Sequence, residues 1–190
     1  DQGSVIETVE PVAGIDINAP EAWDIRTDAS DVVVAVIDTG IDYNHSELSA
    51  NIWINQGEIA GNGIDDDSNG YIDDVHGYDF VNRDGDPMDD HGHGTHCSGT
   101  IAASANNGTG ITGVAWSAQL MAVKILGANG SGYTSDIIEG ILYAADNGAA
   151  VSNNSYGMPL SDAVIAELMT APYSDAIQAA GNSGMVFAAA

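Results

Sequence analysis

Positive charge is nearly absent from this chain. Across 190 residues only Arg26, Arg83 and Lys124 oppose 28 acidic residues, for a formal net charge of −25. Such a surface repels phosphate, which argues against a nucleic-acid or anionic-membrane partner. It also repels itself, so bound cations or high ionic strength are expected to stabilise the fold. Cysteine is equally scarce: Cys97 stands alone, and no intrachain disulfide forms. No apolar run reaches membrane-spanning length, and the opening "DQGSVIETVEP" lacks the features of a signal peptide. The chain does not begin with Met, as expected of a processed or excised segment, and "GMVFAAA" closes it within an apolar run.

What is present reads as one α/β domain. The hydrophobic content of 44% belongs to a globular chain rather than a disordered acidic tail. "VVVAVI" (32–37) is a β-branched run of the kind expected for a strand covered on both faces, and "LMAVKIL" (120–126), "AAVSNNS" (149–155) and "MVFAAA" (185–190) look similar. Helical patterns lie between them, in "THCSGTIAASA", "SDIIEGILYAADNG" and "YSDAIQAAGNSG". Alternating elements predict a mainly parallel sheet with helices on both faces. Functional groups gather beyond the carboxyl ends of such strands, which is where Asp38 falls. Pro172 is expected to interrupt any helix through 162–182. From Asn51 to Asp90 the chain is rich in Asp, Asn and Gly, a long excursion between the first strand and the histidines. No internal repeat and no inter-domain linker is apparent.

The stretch "DDHGHGTHCSGT" (89–100) carries His91, His93 and His96, which as H-x-H-x-x-H spacing alone would permit a metal site. Its context points elsewhere. "VVVAVIDTGID" (32–42) and "HGTHCSGT" (93–100) closely resemble the Asp and His motifs of the subtilisin-like serine proteases. "AVKILGANGSGY" (122–133) and "NNSYG" (153–157) resemble the two substrate-lining segments of that family, in the same order. The resemblance covers essentially the whole chain. It implies a subtilisin-like fold and a serine endopeptidase that hydrolyses peptide bonds through an acyl-enzyme. His93 would be the general base, and Asp38 would hold its Nδ1–H and support the imidazolium. Gly130, Ser131 and Gly132 would pair with extended polypeptide substrate. Ser155, Tyr156 and Gly157 would border the pocket for the side chain before the scissile bond. His96 would be structural and His91 a loop residue. A proteinase K-like subset of the family carries Cys where Cys97 stands, which predicts sensitivity to mercurials.

The nucleophile is missing from this pattern. The family bears its serine in a Gly-Thr-Ser-Met-Ala type motif, and nothing here matches it. "AAGNSG" (179–184) imitates the oxyanion-hole motif, but element order places Asn182 at a helix C-terminus, with the strand "MVFAAA" still to come. Residues 1–190 are therefore expected to be the N-terminal part of a single catalytic domain, truncated before the nucleophile segment. A companion chain would carry the catalytic Ser and the oxyanion Asn. A non-catalytic calcium-binding fragment or pseudoenzyme is the competing reading.

Calcium enters through the excursion. "DDDSNGYIDD" (65–74) has the form D-x-D-x-N-G-x-x-D, which sets oxygens at alternate positions around a glycine turn. The expected ligands are Asp65, Asp67, Asn69, the Tyr71 carbonyl and Asp73. His76 occupies the place of the usual bidentate Glu, so Asp74 is the expected substitute. Oxygen-only ligands favour calcium over zinc. Asp84, Asp86, Asp89 and Asp90 form a second, weaker acidic cluster. By family resemblance, Glu47 and the loop around Asn107 form a further calcium site, and the enzyme is secreted.

Overall fold

A computed structural model describes residues 16–157 and 163–190. Five strands, β1 (Val33–Asp38), β2 (Gly77–Asp79), β3 (Gln119–Lys124), β4 (Val151–Asn154) and β5 (Val186–Ala189), form one sheet in the order β2-β3-β1-β4-β5. Every pairing is parallel. The longer helices are α2 (His93–Ala102), α3 (Thr134–Asp146) and α4 (Ala163–Asn182); α1 (Ala19–Trp23) is a short turn of helix before the sheet. The parallel α/β architecture predicted from the alternation of patterns is the one observed.

The centre of the sheet is apolar because both its faces are covered. Side chains alternate along a strand, so Ala35 and Ile37 face one layer, with Met121 and Val123 of β3 and Ile141 and Tyr143 of α3. Val34 and Val36 face the other, with Leu120 and Ala122 and the α2 residue Ala102. The same alternation sends Asp38 to the α2 face, and its register partner Lys124 with it. Two chemistry-bearing side chains thus emerge together at the carboxyl edge of the sheet.

Two elements depart from expectation, and a third meets it. The acidic excursion is not all loop, since it supplies the edge strand β2. That strand depends on Gly77 (φ +120°), where a Cβ would lie 1.8 Å from the Ala122 carbonyl oxygen. Nor does Pro172 interrupt α4, which runs continuously from Ala163 to Asn182. Proline removes one N–H and crowds one carbonyl, a cost that packing of the flanking turns can outweigh. Ala176 and Ala180 are buried against the core, with Tyr173 and Ile177 packed beside them, and contribute such packing. Finally, α4 ends as a Schellman motif: Met185 N–H donates to the Ala180 carbonyl and Gly184 N–H to that of Gly181, with Gly184 at φ +98°. Asn182 therefore sits in the last turn of a helix entering β5 at its amino end, as element order implied. Asp38 lies at the opposite, carboxyl edge of the sheet, so Asn182 does not belong to that site.

Candidate active site

Asp38, the last residue of β1, is fully buried, and His93, the first residue of α2, stands directly over it. The His93 Nδ1 lies 2.7 Å from one Asp38 oxygen and 2.9 Å from the other. A carboxylate only accepts hydrogen bonds, so Nδ1 carries the proton and Nε2 of the neutral ring is left free to take one. The His93 side chain is 44% exposed, enough for Nε2 to meet a reactant from solvent. Thr39 N–H donates to Asp38 as well, at 2.7 Å, and fixes the carboxylate from its own strand end.

The close approach of the two elements has a steric basis. A Cβ on Gly94 would lie 2.1 Å from the Gly40 carbonyl oxygen and 3.2 Å from the Asp38 Cβ. Only glycine after His93 lets α2 settle onto the end of β1. Thr39 Oγ1 accepts from Gly94 N–H at 2.9 Å and donates to Asp89 at 2.9 Å.

Asp89 is a site residue that motif reading missed. Its carboxylate accepts from the N–H groups of His91, Gly92 and Thr95 and from the Thr95 hydroxyl, and so caps the start of α2. Burial works to raise its pKa, but these bonds outweigh burial and hold the carboxyl below the usual range. The expected cluster of Asp84, Asp86, Asp89 and Asp90 accordingly does not converge on one point. Asp84 bonds the Asp86 N–H, Asp86 bonds Tyr43, Asp89 caps α2 and Asp90 meets Lys124. Capping by an acid several residues before a helix depends on how the loop folds back, which spacing alone does not show.

The other histidines separate clearly. His96, expected to be structural, is exposed, and among the described residues its ring makes no hydrogen bond. The neighbouring helix glycines and Asp89 do the holding instead. His91 is exposed, but its ring borders the Gly130 backbone; a Cβ on Gly130 would lie 3.3 Å from His91 Nε2. Cys97 Sγ is 4.0 Å from His93 Nδ1, and burial pushes its thiol pKa up.

Sheet order places the remaining candidates around this pair. Because β1 lies between β3 and β4, the segments leaving β3 and β4 flank Asp38 and His93 on either side. Gly130, Ser131 and Gly132 are exposed on the β3 side, in a turn closed by the Gly127 N–H donating to the Ser131 carbonyl. On the β4 side lie Ser155 to Gly157. The Tyr156 hydroxyl turns inward to Asn154 Oδ1 at 2.9 Å, which leaves the backbone at the cleft.

The acidic loop is organised differently from its motif. Asp65 and Asp67 converge with Glu58, a carboxylate outside the motif. Asp73 faces away, accepting from the N–H groups of Asn62 and Gly63. Asp74, the expected substitute ligand, is fully buried and held by Tyr143 Oη, Asn55 and Asn69. Burial raises its pKa, against the opposing effect of these bonds. The Tyr71 side chain packs edge-on against Tyr78 and Tyr143, and its N–H donates to Asn69. Glu47, in contrast, has a buried Oε2 without a partner, while its Oε1 accepts from Asn107 and Thr109.

Comparison with known proteins identifies the family. The model of the Subtilase family matches residues 29–190, and the chain belongs to that family. It is 40% identical over 169 residues to a thermophilic serine proteinase of Bacillus sp. (strain AK1), covering 89% of this chain and 35% of that protein. It is 37% identical over 171 residues to thermitase of Thermoactinomyces vulgaris, covering 88% of this chain and 53% of thermitase. The crystal structure of a cold adapted subtilisin-like serine proteinase superposes with a TM-score of 0.61 at 31% identity, over 86% of this chain and 47% of that one. The chain thus spans about half or less of the length of these relatives.

Proposed function

We propose that this chain is the N-terminal part of the catalytic domain of a secreted serine endopeptidase and supplies two members of its triad. The observation that carries the reading is the exposed His93 whose Nδ1 is held by both oxygens of a buried carboxylate. Asp38 fixes the tautomer and orientation of the ring. His93 Nε2 takes the proton of a serine hydroxyl as that oxygen attacks the peptide carbonyl, then returns the proton to the leaving amine. The polypeptide substrate lies between Gly130–Gly132, along which it adds as a strand, and Ser155–Gly157. Among the described residues no hydroxyl bonds His93 Nε2. On the order of motifs in the family, we assign the serine and the oxyanion-binding Asn to a companion polypeptide.

Calcium belongs to the same proposal as a structural ion. The unpartnered, buried Glu47 Oε2 beside Asn107 fits a hard cation that completes the coordination of that carboxylate. In the acidic loop, Glu58, Asp65 and Asp67 offer the oxygens. Bound calcium would supply charge neutralisation there and no step of the hydrolysis.

The test is labelling with a serine-directed fluorophosphonate followed by intact mass spectrometry. A labelled companion polypeptide, with the 19.5 kDa chain unlabelled, is the expected result. Absence of any labelled species in a folded preparation would refute the protease reading and leave a calcium-binding fragment.

A further inference from the structure

Lys124 is the one cation of this chain withdrawn from solvent, with its side chain 1% exposed, against 62% for Arg26 and 48% for Arg83. An ammonium has three N–H donors and no acceptor. Here all three are used, toward the Thr39 carbonyl at 2.7 Å, the Leu126 carbonyl at 2.9 Å and Asp90 Oδ1 at 2.6 Å. The three acceptors come from three different segments of the site. Thr39 directly follows Asp38, and its hydroxyl reaches both Gly94 and Asp89. Asp90 belongs to the turn in which Asp89 caps the His93 helix. Leu126 opens the loop that carries Gly130–Gly132. Main-chain bonds run alongside, since Ile125 N–H and Leu126 N–H both donate to the Asp38 carbonyl, at 2.9 and 3.2 Å.

We propose that Lys124 is a positioning residue for the proposed protease, which holds the Asp38–His93 pair and the Gly130–Gly132 substrate segment at a set distance and orientation. Burying an ammonium is costly, and an apolar side chain of similar volume fills such a site with less penalty. What the ammonium adds is the simultaneous direction of three bonds toward three segments. Without it, Thr39 and Leu126 keep buried carbonyls with one partner fewer, and the turn before α2 is released from β3. The reacting groups are then free to drift, and misplacement on the order of 1 Å is enough to cost roughly 10²-fold in rate.

The test uses the complete enzyme, with its nucleophile-bearing part, and the rate of fluorophosphonate attachment to the serine. That rate reports on the triad without engaging the peptide subsites. Lys124→Met is expected to label roughly 10- to 100-fold more slowly per folded molecule, and to lose kcat on a short peptide by a similar factor, with KM raised as well because the Gly130–Gly132 segment is loosened. Wild-type labelling in this variant, even with a lowered melting temperature, overturns the inference, because a merely structural lysine would move only stability. Should Lys124→Met not fold, Asp90→Ala removes a single contact at a side chain that is 47% exposed. It is expected to slow labelling several-fold, and unchanged labelling overturns the inference equally. A wild-type enzyme that takes no label refutes the protease reading itself, a result distinct from an active wild type with an equally active variant.

Discussion

At the scale of single residues, the proposed mechanism has Asp38 and His93 divide one task between orientation and proton transfer. Asp38→Asn keeps the size of the group but offers an amide that lets the ring settle in the wrong tautomer. It is expected to lower kcat of the complete enzyme by about 10⁴ while leaving the melting temperature nearly unchanged, as steady-state kinetics and calorimetry would show. Cys97 lies 4.0 Å from the same ring and its pKa is raised by burial, so it reacts sluggishly with alkylating agents yet remains open to soft metals. Mercurials are expected to inactivate the enzyme, and Cys97→Ser to abolish that sensitivity with activity kept; an equally sensitive variant discards this placement. Asp89 acts through the backbone. Its depressed pKa means that its stabilising effect is fully present above the ordinary carboxyl value of 3.8 and is lost as pH falls through its own lower value. Asp89→Ala should therefore cost about 2 kcal/mol at neutral pH, and the difference from wild type should vanish in acid, measured as melting temperature against pH. The Asp–His pair was legible because each residue stands in a distinctive local string. Asp89, Glu58 and Lys124 were not, since their partners come from loops that spacing does not bring together.

At the scale of elements, local pattern and tertiary packing competed with different outcomes. β1 and β3 were visible as apolar runs because both faces of the central sheet are buried there, whereas β4 (Val-Ser-Asn-Asn) and the largely exposed β5 were legible from their place in the alternation of elements. β2 was hidden by its brevity and by the Asp- and Gly-rich chain around it; pairing with β3, and not propensity, makes Gly77–Asp79 a strand. Pro172 shows the reverse error, a strong local breaker overridden by packing. Its exposed ring and missing N–H remain a burden within α4. Pro172→Ala restores one helical hydrogen bond, and gives back part of the gain through a more flexible unfolded chain. A net stabilisation of about 1–2 kcal/mol is expected, seen as a rise of a few degrees in melting temperature. A fall would show that the helix relies on the proline for its course.

At the scale of the whole molecule, a net charge of −25 is expected to make cations part of the stability of the fold. Two effects are superimposed and have different signatures. Screening by monovalent salt acts on every exposed carboxylate and rises gradually with ionic strength. The calcium proposed at Glu47 or at the Glu58–Asp65–Asp67 loop would bind specifically, so its contribution would follow the logarithm of concentration above Kd. At a calcium concentration of about 100 Kd a single site adds about 2.7 kcal/mol, equivalent to several degrees for a domain of this size. Chelation at constant ionic strength is therefore expected to lower the melting temperature, and returning calcium, but not sodium, to restore it. Glu47→Gln turns the lone buried oxygen into part of a neutral amide, so it should remove the share of the calcium effect due to that site while the response to salt persists. If the melting temperature follows ionic strength alone and ignores chelation in both proteins, the acidity is a solvated surface and neither cluster holds an ion.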